Sequence, residues 1–182
     1  MEMGERILVH CCCGPCSTSS LKRLIDEGWS PVIYYGNSNI WPEEENSKRW
    51  ENLLKIASFY GVPVIREKYD HDSWRKAVKG LENEPEHGKR CTKCFEFNLR
   101  QAHDKAKELG IDHFTTTLTV SRFKNSSAIF SVGRSFEGFE EIDFKKKDGF
   151  AQSVKMSQEM GLYRQQYCGC EFSMATAVPE ED

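Results

Sequence analysis

The stretch Arg6-Ile7-Leu8-Val9-His10-Cys11-Cys12-Cys13-Gly14-Pro15-Cys16-Ser17 decides how this chain is read. Arg6 to His10 is a short apolar run of strand type, and Ser17 to Glu27 has helical spacing, with Leu21, Leu24 and Ile25 on one side and Gly28 as a stop. A strand that runs through a tight loop into a helix is the opening of a βαβ unit. In open α/β sheets, sites form beyond the carboxyl ends of strands. The loop at that place here consists almost wholly of cysteine.

Outward from this unit the alternation continues. Pro31 to Tyr35 reads as a second strand, closed by Gly36-Asn37-Ser38-Asn39. Pro42 and Glu43, Glu44 and Glu45 suit a helix's first turn, and Trp50, Leu53, Leu54, Ala57 and Tyr60 recur at helical spacing. Val62 to Arg66 is a third strand, followed by a short helix around Trp74 to Val78 and a polar loop, residues 82–88. The next helix begins near Cys91 and carries Phe95, Leu99, Ala102, Ala106 and Leu109 on one side. His113 to Thr117 reads as a fourth strand, Ser126 to Ser135 as a helix, Glu141 to Phe144 as a fifth strand and Phe150 to Met160 as a last helix. The expectation is one Rossmann-like α/β domain over residues 1–182 with a mainly parallel sheet.

Of the residues, 38% are hydrophobic and 12% aromatic, enough to build a core. No apolar run approaches the roughly 20 residues that cross a bilayer, and Met1 to Arg6 lacks the layout of a signal peptide. A cytoplasmic protein without membrane contact is expected. The net charge of −3 does not mark a nucleic-acid binder, so any RNA contact must come from local patches. Candidates for phosphates and a splayed base are Lys145, Lys146 and Lys147 beside Phe144 and Phe150, with Arg122, Lys124 and Arg164. Trp41, just after the second strand, stands at the expected edge of the site. Trp50 and Trp74 read as core.

The eight cysteines fall into three tight groups: Cys11, Cys12, Cys13 and Cys16; Cys91 and Cys94; Cys168 and Cys170. Disulfide frameworks spread their cysteines along small secreted chains, whereas clustering in a chain of this type points to metal or redox chemistry. Neighbouring thiolates repel unless a cation neutralises them, and adjacent cysteines can bind different irons of one polynuclear centre. Cys91-Thr92-Lys93-Cys94 places two sulfurs on one face of a helix's first turn. Cys168-Gly169-Cys170 suits metal ligation or a strained, easily reduced disulfide. Two rival readings use the same residues. Cys13-Gly14-Pro15-Cys16 is a thioredoxin-type C-x-x-C opening a helix, which leaves six cysteines unexplained. A structural zinc site needs four ligands where eight are offered.

Taken together, the motifs resemble the epoxyqueuosine reductases of the QueH type over nearly the whole chain. The resemblance rests on Cys12-Cys13-Gly14-Pro15-Cys16, on Glu84-Pro85-Glu86 leading into Arg90-Cys91-Thr92-Lys93-Cys94, on Thr115-Thr116-Thr117-Leu118, and on Tyr163-Arg164-Gln165-Gln166-Tyr167-Cys168-Gly169-Cys170. It implies an adenine-nucleotide-hydrolase-like (HUP-type) fold. It also implies reduction of epoxyqueuosine to queuosine at the wobble position of tRNA, cobalamin-independent and fed by an electron donor that the residues do not identify. The cofactor implied is a [4Fe-4S] cluster on Cys12, Cys13, Cys91 and Cys94. An additional iron is associated with the family, for which Cys16 is the candidate ligand, and Cys168 with Cys170 form the redox pair. Cys11 lies outside the core motif. Asn37-Ser38-Asn39-Ile40-Trp41-Pro42 and Ser121-Arg122-Phe123-Lys124 depart from the family's usual Asn-Pro-Asn-Ile-His-Pro and from its proline near Arg122.

Overall fold

A computed structural model describes residues 4–165 and 167–173; Gln166 of the tail motif lies outside them. Four parallel strands form one sheet: β1 (Arg6–His10), β2 (Ser30–Tyr35), β3 (Val64–Arg66) and β4 (Phe114–Thr116), in the order β3-β2-β1-β4. The chain first builds outward from β1 through β2 to β3 and then returns to pair β4 on the other side of β1. The strand order therefore reverses at β1. Helices that follow β1 and β4 diverge there to opposite faces, which opens a crevice at the ends of these two strands. The cysteine loop follows β1 into that crevice.

Both faces of the sheet are covered, and the side-chain period of 2 assigns each residue to a face. Ile7, Val9, Ile33 and Tyr35 pack with Leu21 and Leu24 of α1 (Gly14–Asp26) and with Leu53, Ile56 and Ala57 of α2 (Glu43–Tyr60). Leu8, Val32 and Tyr34 face the other way. They meet Phe95, Leu99, Ala102 and Ala106, from α4 (Lys89–Glu108), and Ile129, from α5 (Ser126–Gly133). Between β3 and α4 lies α3 (His71–Ala77), and α6 (Gly149–Glu159) packs on α1. Trp74 on α3 is fully buried, as its core reading requires, whereas Trp50 is partly buried.

Two boundaries differ from the sequence reading for local reasons. Residues 141–144 form no strand; a lone parallel bridge joins Phe114 to Phe139 instead. Threonine hydroxyls take the place of a ladder, with Thr115 Oγ1 donating to Glu140 O and Thr119 Oγ1 to Ile142 O, both at 2.9 Å. β4 also stops one residue early, because Thr116 Oγ1 accepts the Leu118 N–H and starts a 3₁₀ turn, Thr117–Val120. On α2, Leu54 is 38% exposed, and the buried stripe instead includes Arg49 and Asn52. These two polar residues hold the cysteine tail.

Candidate metal centre and active cavity

Three features of the first loop assemble the sulfurs. Cys13 is the N-cap of α1 and accepts the Cys16 N–H on Sγ at 3.4 Å, with Pro15 in the first turn. This brings Cys12, Cys13 and Cys16 together, all three sulfurs within 4.8 Å of one another. Cys11 points the opposite way into the core beneath α1 and takes no part. His10, fully buried at the end of β1, braces the loop from below. Asn37 Nδ2 donates to Cys11 O, so Asn37 Oδ1 must accept from His10 Nε2, and Thr116 Oγ1 donates to Nδ1, each at 2.9 Å. Burial lowers the pKa of this imidazole, so it is a neutral positioning group.

Opposite the loop, Cys91 and Cys94 stand on the first two turns of α4, and the tail brings in Cys168 and Cys170. Cys12, Cys16, Cys91, Cys94, Cys168 and Cys170 line a single cavity of ≈ 530 Å³. Arg49 latches the tail. Its side chain is 1% exposed, pairs with Glu45 at 2.9 Å and donates to Tyr167 O at 2.9 Å and Cys168 O at 3.1 Å. Gly169 has φ +110°, and a Cβ there would lie 2.7 Å from Ile40 Cγ1, so only glycine lets the tail turn against the 37–41 loop. Amide donors also reach the sulfurs: Gln165 Nε2 to Cys13 at 3.1 Å, His87 N to Cys91 at 3.2 Å and Asn98 Nδ2 to Cys94 at 3.9 Å. The Trp74 indole N–H also favours the Cys94 thiolate, short of full hydrogen-bond geometry.

The charge pattern follows from these contacts. Hydrogen bonds from the Cys13 and Cys16 thiols hold Cys12 well below the usual thiol range. Those two are pushed up in turn: Cys13 to about 12, mainly by burial, and Cys16 by its bonds to Cys12 and Cys13. Cys170 does the same for Cys168, lowering its pKa through a side-chain hydrogen bond while its own rises. Burial raises Cys91 and pushes Cys94 up to about 12. Facing these sulfurs is Lys124. Burial works against its charge, yet Cys168, Cys12, Cys16 and Cys13 together keep its amine more basic than usual. Negative charge is thus favoured on Cys12 and Cys168 beside the Lys124 ammonium, while burial opposes ionisation of Cys13, Cys91 and Cys94 without a further cation. A soft donor set of this kind fits a metal centre. Three sulfurs at this separation suit one tetrahedral ion, whose ligands stand about 3.8 Å apart. The four corners of a cluster require sulfur from across the cavity, where Cys91, Cys94 and Cys168 stand.

All eight cysteines are free thiols, so the disulfide expected of Cys168 and Cys170 is absent. The thiol of Cys170 hydrogen-bonds the Cys168 thiolate, and Lys124 adds positive charge, which favours the reduced pair. Arg122 and Lys124 line the large cavity, and Arg164 lines a smaller cleft beside it. Trp41, 40% exposed, adjoins the tail through its N–H to Gly169 O at 2.8 Å. Lys146 is exposed and lines neither cavity; Lys145 is bound inward by Thr119 O, Lys124 O and Ser126 Oγ, and Lys147 pairs with Glu27. Sequence reading missed Arg49 and Asn98, which give no signal beyond polar residues on helices.

Two solved structures share this fold. A protein from Methanocaldococcus jannaschii, described as a predicted subunit of tRNA methyltransferase, superposes with TM-score 0.57 at 15% identity, over 85% of this chain and 75% of that one. The U34-tRNA thiolase NcsA from Methanococcus maripaludis, solved with its [4Fe-4S] cluster, does so with TM-score 0.56 at 11% identity, over 89% and 59%. Closer similarity is found in sequence. A protein of Streptococcus pyogenes serotype M1, named epoxyqueuosine reductase QueH, is 38% identical over 178 residues, 92% of this chain and 69% of that protein. Proteins of the same name from Haemophilus influenzae and Thermotoga maritima are 34% and 32% identical, over 93% and 92% of this chain and 72% and 90% of theirs. The family model for epoxyqueuosine reductase QueH matches residues 7–176. The chain belongs to the epoxyqueuosine reductase QueH family.

Proposed function

We propose that this protein reduces the epoxide of epoxyqueuosine in tRNA to the alkene of queuosine, using a [4Fe-4S] cluster held in the large cavity. The observation that carries the reading is the convergence of sulfur from three distant segments on one cavity that also holds Lys124. Such a cavity offers sulfur ligands, a thiol pair and an ammonium group. The reaction takes two electrons and two protons, breaks both C–O bonds of the epoxide, releases water and leaves a carbon–carbon double bond. The cluster, when bound, would relay electrons one at a time.

We assign Cys12, Cys13, Cys91 and Cys94 as its ligands, and Cys16, next to Cys12 and Cys13, as the sulfur left for an additional iron. Cys168 and Cys170 act as a dithiol. Oxidation of the Cys168 thiolate and the Cys170 thiol to a disulfide yields two electrons and one proton; with the proton from Lys124 this balances one epoxide reduction, and the external donor, with protons from solvent, then restores the pair. The Lys124 ammonium, which lines the cavity, would hydrogen-bond the oxygen that gains negative charge and pass it a proton. Asn98, Gln165 and the His87 N–H hold the sulfurs in place and offset their negative charge. Arg49 keeps the tail closed over the site, limiting water.

The test is anaerobic purification, a count of iron and sulfide, and assay of epoxyqueuosine-containing tRNA with a low-potential reductant. Queuosine is expected from the brown protein, with loss of turnover in Cys168→Ser at unchanged iron content. Full turnover by iron-free protein overturns the proposal.

A further inference from the structure

Beside the cysteine cavity lies a second cleft, lined by Pro15, Cys16, Val120, Phe123, Phe150 and Arg164 among others. The two hollows share Cys16, Ser121, Phe123 and Gln165 as a common wall. Phe123 tops this wall and is 54% exposed, one of the few large apolar side chains the fold leaves in water. Arg122 is exposed as well, and its guanidinium packs between two rings, 4.9 Å from the centroid of Phe123 and 5.0 Å from that of Phe150. Among the described residues that guanidinium makes no hydrogen bond or ion pair, and no acidic side chain lines the second cleft.

We propose that Phe123 is a stacking platform for a second nucleobase of the RNA, the neighbour of the nucleoside in the cysteine cavity, with Arg122 gripping the phosphate beside it. This rests on the reading of the cavity as a tRNA site and specifies how the loop is held there. Single-stranded RNA is recognised by stacking splayed bases on aromatic faces and by planar arginine forks on phosphates. Consecutive nucleotides are one phosphate apart, which suits two hollows with a common wall. The cleft, at ≈ 50 Å³, is too shallow to enclose a base, so the base lies across the exposed face of Phe123. More than half of Phe123 is left in water, and an arginine against its ring with unused donors matches an anion at the same spot.

The test uses anaerobically purified holoprotein and short RNA hairpins whose loop carries the epoxide nucleoside, with each neighbouring nucleotide in turn made abasic. Binding is read as fluorescence anisotropy. Phe123→Ala is expected to weaken the intact hairpin ~5- to 150-fold, and Phe123→Trp to retain affinity. Removing one neighbouring base should weaken the wild type by a similar factor and have no further effect on Phe123→Ala. Arg122→Ala should lower the slope of log Kd against log salt by about 1, with Arg122→Lys keeping the slope but losing affinity. Because both side chains are exposed, unchanged urea midpoints verify that the variants are folded. Wild-type affinity in Phe123→Ala, or abasic losses just as large in that variant, would overturn the subsite. Coupled binding without epoxide reduction would refute the reductase reading and leave the subsite standing.

Discussion

Replacing Arg49 by Met tests whether one buried guanidinium holds the cysteine tail in the site. The side chain is 1% exposed and makes three charge-assisted contacts: Glu45 at 2.9 Å, Tyr167 O at 2.9 Å and Cys168 O at 3.1 Å. Hydrogen bonds to a charged group contribute about 1.5–3 kcal/mol each. The two carbonyls would lose their donor in a place shielded from water. Glu45 would be better off, since Tyr163 Oη still donates to both its oxygens, at 2.9 and 3.0 Å. The expected loss is about 3–4 kcal/mol, less than the full sum because the tail can detach locally and let water reach the orphaned groups. Arg49→Lys keeps the charge but not the fork, and about half the loss is expected. Two measurements apply: urea unfolding of the reduced metal-free protein, and alkylation rates of Cys168 and Cys170 read by mass spectrometry. Both cysteines should become more reactive in Arg49→Met. A stability change under about 1 kcal/mol with wild-type alkylation rates would refute the latch.

Other outcomes can be stated briefly. Gly169→Ala should loosen the tail by about 1–3 kcal/mol, because alanine is strained at φ +110° and its Cβ meets Ile40; wild-type alkylation of Cys170 would contradict this. Cys11→Ala should cost about 1–2 kcal/mol from the core beneath α1 yet retain iron, whereas Cys12→Ala should lose iron; equal iron in both would undo the division between them. His113 bridges Glu5 and Glu140 at 2.7 Å each; burial opposes its charge, but the two carboxylates outweigh this and raise its pKa. Its charged form is therefore favoured in the folded state, a contribution fully present below the unfolded value of 6.5 and lost as pH rises through the folded one. His113→Gln should accordingly show a larger deficit in urea unfolding at pH 5.5 than at pH 9, and equal deficits would contradict the pairing.

The local signals in the chain were enough to specify the βαβ alternation and the place of the cysteine loop. Ile7 to Val9 and Val32 to Tyr35 are apolar on both faces, which a parallel sheet covered on both sides demands, and Gly14-Pro15 marks where strand gives way to helix. The grouping of cysteines into three sets was equally legible, because their number and spacing are properties of sequence. Tertiary structure decided what those sets do to one another. That Cys16 joins Cys12 and Cys13 in the tightest group while Cys11 turns into the core depends on the N-cap geometry of α1. That Lys124 faces thiolates, and Arg49 the tail carbonyls, depends on contacts more than 100 residues apart in sequence between Arg49 and the tail. The missing fifth strand has the same origin, since Thr115 and Thr119 supply hydroxyls that no periodicity records. Periodicity reports which side of an element is apolar; which polar group meets which partner is set when the strand order reverses at β1 and brings β4, α4 and the tail to one crevice.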